Sequence, residues 1–202
     1  NSIKKLIQAE KIETRYRPGS MLYEIKDPIL GNGSLKLTVL AQANEEGLVL
    51  KMETSTIDSS TKIYAVYGGA SGTTFSRNGD IGADPESGFY LLPEYCMNNQ
   101  FQLNKNQFQL NYLNKKKETQ IVSGSFSNVS SLQQTDATTL EKLAEFTQNK
   151  TDKSPIVYAS YSSQKQPVYI QVAKGKLDKN FSDEDLKNIF NEAEKSRLIL
   201  TN

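Results

Sequence analysis

Residues 31–52, GNGSLKLTVLAQANEEGLVLKM, decide the fold class. Leu35, Leu37 and Val39 alternate with Lys36 and Thr38; after a polar interruption, Leu48, Leu50 and Met52 alternate around Val49 and Lys51. A period of two over runs this short belongs to strands whose two faces meet different surroundings. Gly31-Asn32-Gly33 precedes the first run and Glu45-Glu46-Gly47 the second, and both hold residues that tolerate positive φ, so each joint reads as a tight turn. Connections this short join neighbouring antiparallel strands.

The pattern extends outward from there. A run around Tyr23 lies upstream; downstream, Ile63, Ala65 and Tyr67 alternate with Tyr64 and Val66. Strand candidates follow at 89–92, 101–103, 108–113 and 120–126, with Asn104-Lys105-Asn106 as a turn and residues 115–117 as a solvated hairpin tip. Around Thr138 the period changes: Thr138 and Glu141 match a capping box, and Leu140, Leu143, Ala144 and Thr147 keep helical spacing to Asn149. Strands at 156–161 and 168–173 flank a polar turn at 162–166. Ser182 and Asp185 repeat the capping pattern before Leu186, Ile189, Phe190 and Ala193, which build one apolar face of a final helix reaching about Arg197. Residues 198–200 read as the start of a strand or linker. The expected fold is mainly β, an antiparallel β-sandwich over residues 1–176 with one short helix, followed over 177–202 by a C-terminal helix and linker toward a further domain, whose apolar face either packs back on the sandwich or serves that domain.

Composition narrows the function. With 24 basic and 23 acidic residues the net charge is +1, which gives no global attraction to nucleic acid or an anionic membrane. No apolar run approaches the roughly 20 residues that span a bilayer. Asn1 starts without a signal-like apolar segment, which leaves a mature, a trimmed and a cytoplasmic chain as alternatives. One cysteine forbids an internal disulfide and a multi-cysteine metal site. The absence of histidine removes the commonest general base, every Ser-His or Cys-His pair, and the usual zinc and iron ligands. Cys96 therefore reads as a small apolar packing residue, and no cofactor, metal or catalytic residue is expected in the chain.

Unusual chemistry is concentrated in residues 68–99, a glycine-punctuated loop between strand-like runs. Arg77 and Asp80 flank Asn78-Gly79, a spacing that fits an ion pair ordering the loop or a pair of groups facing a sugar. Asp80, Asp84, Glu86 and Glu94 crowd the region, but sequence spacing does not set the separation that two carboxylates need for glycoside hydrolysis, and they are assigned to structure. Tyr90 and Tyr95, beside Asn98 and Asn99, would suit stacking on a sugar ring. Gly68-Gly69-Ala70-Ser71-Gly72 lacks the Lys-Ser/Thr ending of a phosphate-binding loop.

Several short motifs occur in a fixed order: Arg15-Tyr16-Arg17-Pro18-Gly19, Tyr23-Glu24-Ile25 with Asp27-Pro28, Gly31-x-Gly33, Gly68-Gly69, Arg77-x-Gly79-Asp80-Ile81-Gly82, and Pro93-Glu94-Tyr95-Cys96 with Asn99. As a set they resemble the front part of a family of large bacterial proteins of unassigned function, in which a β-sandwich precedes a toroidal helical domain like those of glycoside hydrolases. The resemblance implies further sandwich sequence before Asn1, a helical toroid of the same polypeptide after Asn202, and a periplasmic or secreted setting. The chain is then expected to be a non-catalytic accessory domain that braces the toroid and lends a loop to a carbohydrate cleft. A stand-alone carbohydrate-binding or cell-surface adhesion module is the alternative.

Overall fold

A computed structural model of the chain describes residues 3–69, 91–114, 116–162 and 166–199. The described residues form eleven strands: β1 Lys11–Arg17, β2 Ser20–Lys26, β3 Ser34–Ala41, β4 Gly47–Ser55, β5 Ile63–Tyr67, β6 Gln100–Asn104, β7 Gln107–Leu113, β8 Thr119–Phe126, β9 Ser131–Asp136, β10 Pro155–Tyr161 and β11 Val168–Lys174. Two α-helices accompany them, α1 Leu143–Phe146 and α2 Asp183–Ile199. All strand pairs are antiparallel, in an eight-stranded sheet ordered β1-β2-β3-β4-β11-β8-β7-β6 and a three-stranded sheet ordered β5-β10-β9.

The side-chain alternation sorts three layers of core. Leu35, Met52, Phe108, Phe126, Val168 and Ile170 of the large sheet meet Val157, Ala159 and Tyr161 of β10 between the sheets. On the outer face of the small sheet, Ile156 and Tyr158 pack under Cys96, Ala137 and Phe146. On the outer face of the large sheet, Leu40 and Val49 pack under Phe190 and Ala193 of α2. Strand β10 is thus buried on both faces, which is why Ile156 to Tyr161 reads as a nearly continuous apolar run.

Several expectations need correction. The helix expected from Thr138 is a 3-10 turn, Ala137–Thr139, followed by the four residues of α1. Asp136, not Thr138, is its cap: Thr138 donates both its backbone N–H and its hydroxyl to the Asp136 carboxylate. Leu91 and Leu92 are not strand but lead into a 3-10 turn, Pro93–Tyr95. Leu198 and Ile199 finish α2 rather than start a strand, and Leu200 lies outside the described residues. Strands β10 and β11, on either side of residues 162–166, belong to different sheets.

The final helix begins as its sequence predicts. Asp185 accepts from the Ser182 backbone and hydroxyl, and Ser182 Oγ accepts from the Asp185 N–H, a reciprocal box. Its face of Leu186, Phe190 and Ala193 is buried on the large sheet. The far end is latched: Arg197, 9% exposed, bonds Glu194, which also accepts from Arg17 of β1 at 2.9 Å. Gly19 in the β1–β2 turn, at φ 73°, leaves room for the Arg197 stem, and a Cβ there would stand 2.8 Å from Arg197 Cγ.

Candidate functional site

Four of the seven candidate contact residues lie together just ahead of β6. Pro93 at the first position of a 3-10 turn fixes φ and lacks the N–H that such a turn leaves unpaired, so Glu94 and Tyr95 are carried at the start of β6. Glu94 is exposed and Tyr95 half-buried. Asn98 takes a left-handed φ of 62°, a conformation asparagine tolerates, and donates its N–H to Lys153 O at 3.2 Å. Arg77, Asp80 and Tyr90, with Asp84 and Glu86, lie outside the described residues.

Asn99 ties Gly68, directly after β5, to Pro155 at the start of β10. Its side-chain amide, 5% exposed with the rest of the residue, donates to Gly68 O at 2.5 Å and to Pro155 O at 3.2 Å. Residue 68 must be glycine for this approach, because a Cβ there would collide with the Ile156 side chain. Cys96, fully buried beside it, has its thiol pushed up to about 12, first by burial and then by the charges of Asp136 and Glu94, which leaves it protonated and inert.

A carboxylate that the sequence reading missed organises the neighbouring corner. Asp136, 4% exposed, accepts from Thr138 N at 3.1 Å, Thr138 Oγ1 at 2.8 Å, Asp152 N at 2.9 Å and Ser154 N at 3.0 Å. Burial pushes its carboxyl up, but these donors together outweigh burial and leave it below its usual value. The signal was present in Asp136-Ala137-Thr138-Thr139, an acidic cap followed by hydroxyl residues. Asp27, the other buried carboxylate among the described residues, accepts from the Lys4 ammonium, Ile29 N and Glu10 N, and it is lowered chiefly by Lys4.

Two clefts flank α2 on the outer face of the large sheet. The larger, about 470 Å³, is floored by rows that the strand register sets: Glu13, Glu24, Lys36 and Glu53 in one, and Arg15, Leu22, Thr38 and Lys51 in the next. Arg17, Phe190 and Glu194 wall it on the helix side. Four cations and four anions balance there, with Lys51 to Glu53 at 2.9 Å and the Lys51 ammonium 5.5 Å from the Phe190 ring centre. The smaller, about 270 Å³, lies between Gln42, Gln171, Phe181 and Glu192. Among the described residues no group of three or more Cys, Asp or Glu side chains is arranged to hold a metal ion, and no helix is long and apolar enough to cross a membrane.

A two-sheet antiparallel sandwich carrying a C-terminal helix, with buried carboxylates that cap turns, defines a β-sandwich domain. The chain belongs to the family described as Domain of unknown function (DUF4450), whose pattern matches residues 1–194. No curated protein matches it by sequence. Its fold is similar to part of a bacterial glucoamylase solved in complex with acarbose, at 10% identity and a TM-score of 0.52, over 94% of this chain and 28% of that one. A putative kojibiose phosphorylase from the human microbiome is a more distant likeness, at 9% identity and a TM-score of 0.41, over 90% of this chain and 20% of that one. The chain thus spans little more than a quarter of the glucoamylase it matches.

Proposed function

We propose that the chain is the non-catalytic β-sandwich domain of a larger glycoside-hydrolase-like protein, bracing a helical toroid of the same polypeptide and offering the 68–99 loop to its carbohydrate cleft. The observation that carries the non-catalytic part is the use made of the buried carboxylates. A glycosidase needs two carboxyl groups about 5 to 9.5 Å apart and free to exchange protons with substrate or water. Asp27 and Asp136 instead accept three and four hydrogen bonds from within the chain. Support for the bracing part comes from the family membership and from the fold shared with a segment of glucoamylase. On this reading the whole protein works on glycans in the periplasm or outside the cell.

The test is turnover of a broad glycan panel by the purified chain. No release of reducing sugar is expected, with or without added divalent cations. Hydrolysis that disappears on Glu94→Gln would overturn the non-catalytic assignment, and glycan binding without turnover would favour a self-sufficient binding module.

A further inference from the structure

Strand β1 is an edge of the eight-stranded sheet, and no described segment pairs with its outer side. Ahead of it, the Lys4 ammonium and the Glu10 N–H reach Asp27, directly after the end of the neighbouring strand β2. The strand is seven residues long, contains no proline, and exposes Ile12 at 39% and Tyr16 at 73%. An edge of this length and exposure is a template for another strand. Arg17 pairs with Ser20 across the two-residue Pro18-Gly19 turn, which makes theirs a hydrogen-bonded pair. By alternation, the N–H and C=O groups of Ile12, Thr14 and Tyr16 point outward.

We propose that this edge pairs with the same edge of a second copy of the chain, antiparallel about a two-fold axis at Thr14. The choice of register rests on charge. A two-fold axis perpendicular to the sheet keeps equivalent faces aligned, so only residues of the same parity can stand opposite each other. Centring on Glu13 or on Arg15 sets that charge against its own copy. Centring on Thr14 sets Glu13 opposite the second copy's Arg15 twice over, and sets Ile12 opposite Tyr16 on the other face. The like charges at the ends, Lys11 opposite Arg17, are held by partners within each copy: Lys11 by Glu13 at 2.8 Å and Arg17 by Glu194 at 2.9 Å. The result is a closed dimer with one continuous sheet, and its two exposed tyrosines are covered.

Analytical ultracentrifugation of the chain across a concentration series tests this. A monomer–dimer equilibrium is expected. Glu13→Arg, which sets arginine against arginine at both symmetric positions, should weaken it about tenfold or more, and the charge-swapped double variant Glu13→Arg/Arg15→Glu should restore it. Thr14→Pro removes an outward N–H at the axis while leaving the bonds to β2 intact, and should abolish the dimer with the far-UV circular dichroism unchanged. A chain that is monomeric at every concentration overturns the proposal, as does a dimer indifferent to both Glu13→Arg and Thr14→Pro. If the monomer instead takes up an extended synthetic peptide along this edge, the partner is a different one and the self-pairing is likewise wrong.

Discussion

Asp136 and Asn99 each hold a corner of the molecule by saturating backbone groups that loops would otherwise leave unpaired in the interior. Asp136 ties the end of β9 to the start of β10 through Asp152 N and Ser154 N. Asp136→Asn keeps one acceptor but turns an amide N–H₂ toward one pair of donors, and should cost about 2 kcal/mol in urea unfolding at neutral pH. Because its folded pKa lies below the usual 3.8, its charge stabilises the fold above that pH, and the stabilisation is lost as pH falls through the folded value. The gap between wild type and Asp136→Asn should therefore close in acid. At Asn99 the decisive change is to aspartate, which would set a carboxylate against the carbonyls of Gly68 and Pro155. Asn99→Asp should cost about 3 kcal/mol and make the chain susceptible to protease between residues 68 and 99, whereas Glu94→Gln, on an exposed side chain, should do neither.

Elements were legible where burial is one-sided or complete, and illegible where neither holds. Strands β3, β4, β5, β7, β8, β10 and β11 carry alternating or continuous apolar residues because one or both faces meet a core. Strand β1, Lys11-Ile12-Glu13-Thr14-Arg15-Tyr16-Arg17, passes unseen because it is an exposed edge: its charges face a solvent-filled cleft and its apolar residues are half bare. Strand β9 passes unseen because Leu132 is its only large apolar residue and its order comes from pairing with β10. The helix near Thr138 was over-read because Asp136 competes for the cap and starts a tighter turn two residues early.

The last helix was read with its box and its apolar face intact, and it folds back on the sheet while its end lies beside the β1–β2 turn. Phe190, 7% exposed and with its ring 5.6 Å from that of Tyr169, should cost roughly 3 to 5 kcal/mol when cut to alanine. The Asp185 carboxyl is held at about 2 by the Ser182 hydroxyl and backbone, with help from Lys179. Its contribution is complete above 3.8 and vanishes as pH falls through about 2, so Asp185→Asn should lower the melting temperature at neutral pH and match wild type near pH 2.

For the whole molecule, the order of motifs along the first half of the chain pointed to the family that the match over residues 1–194 establishes. The structure shows why some of those motifs occur. Gly19 admits Arg197, Arg17 meets Glu194, Asp27 caps the turn at Pro28–Leu30, and Asn99 ties Gly68 to Pro155. The mixed-charge cleft escaped the sequence reading because it exists only through register: Glu13, Glu24, Lys36 and Glu53 share one row across four strands but lie far apart in the chain. On the proposed function, this sandwich braces a helical domain without doing chemistry. Isothermal calorimetry between the purified chain and the separately produced helical region proposed to follow it measures that bracing. Saturable association of one chain per helical region is predicted, together with a rise in the melting temperature of the helical region. No heat of binding and no shift in melting, with both partners folded, would contradict it.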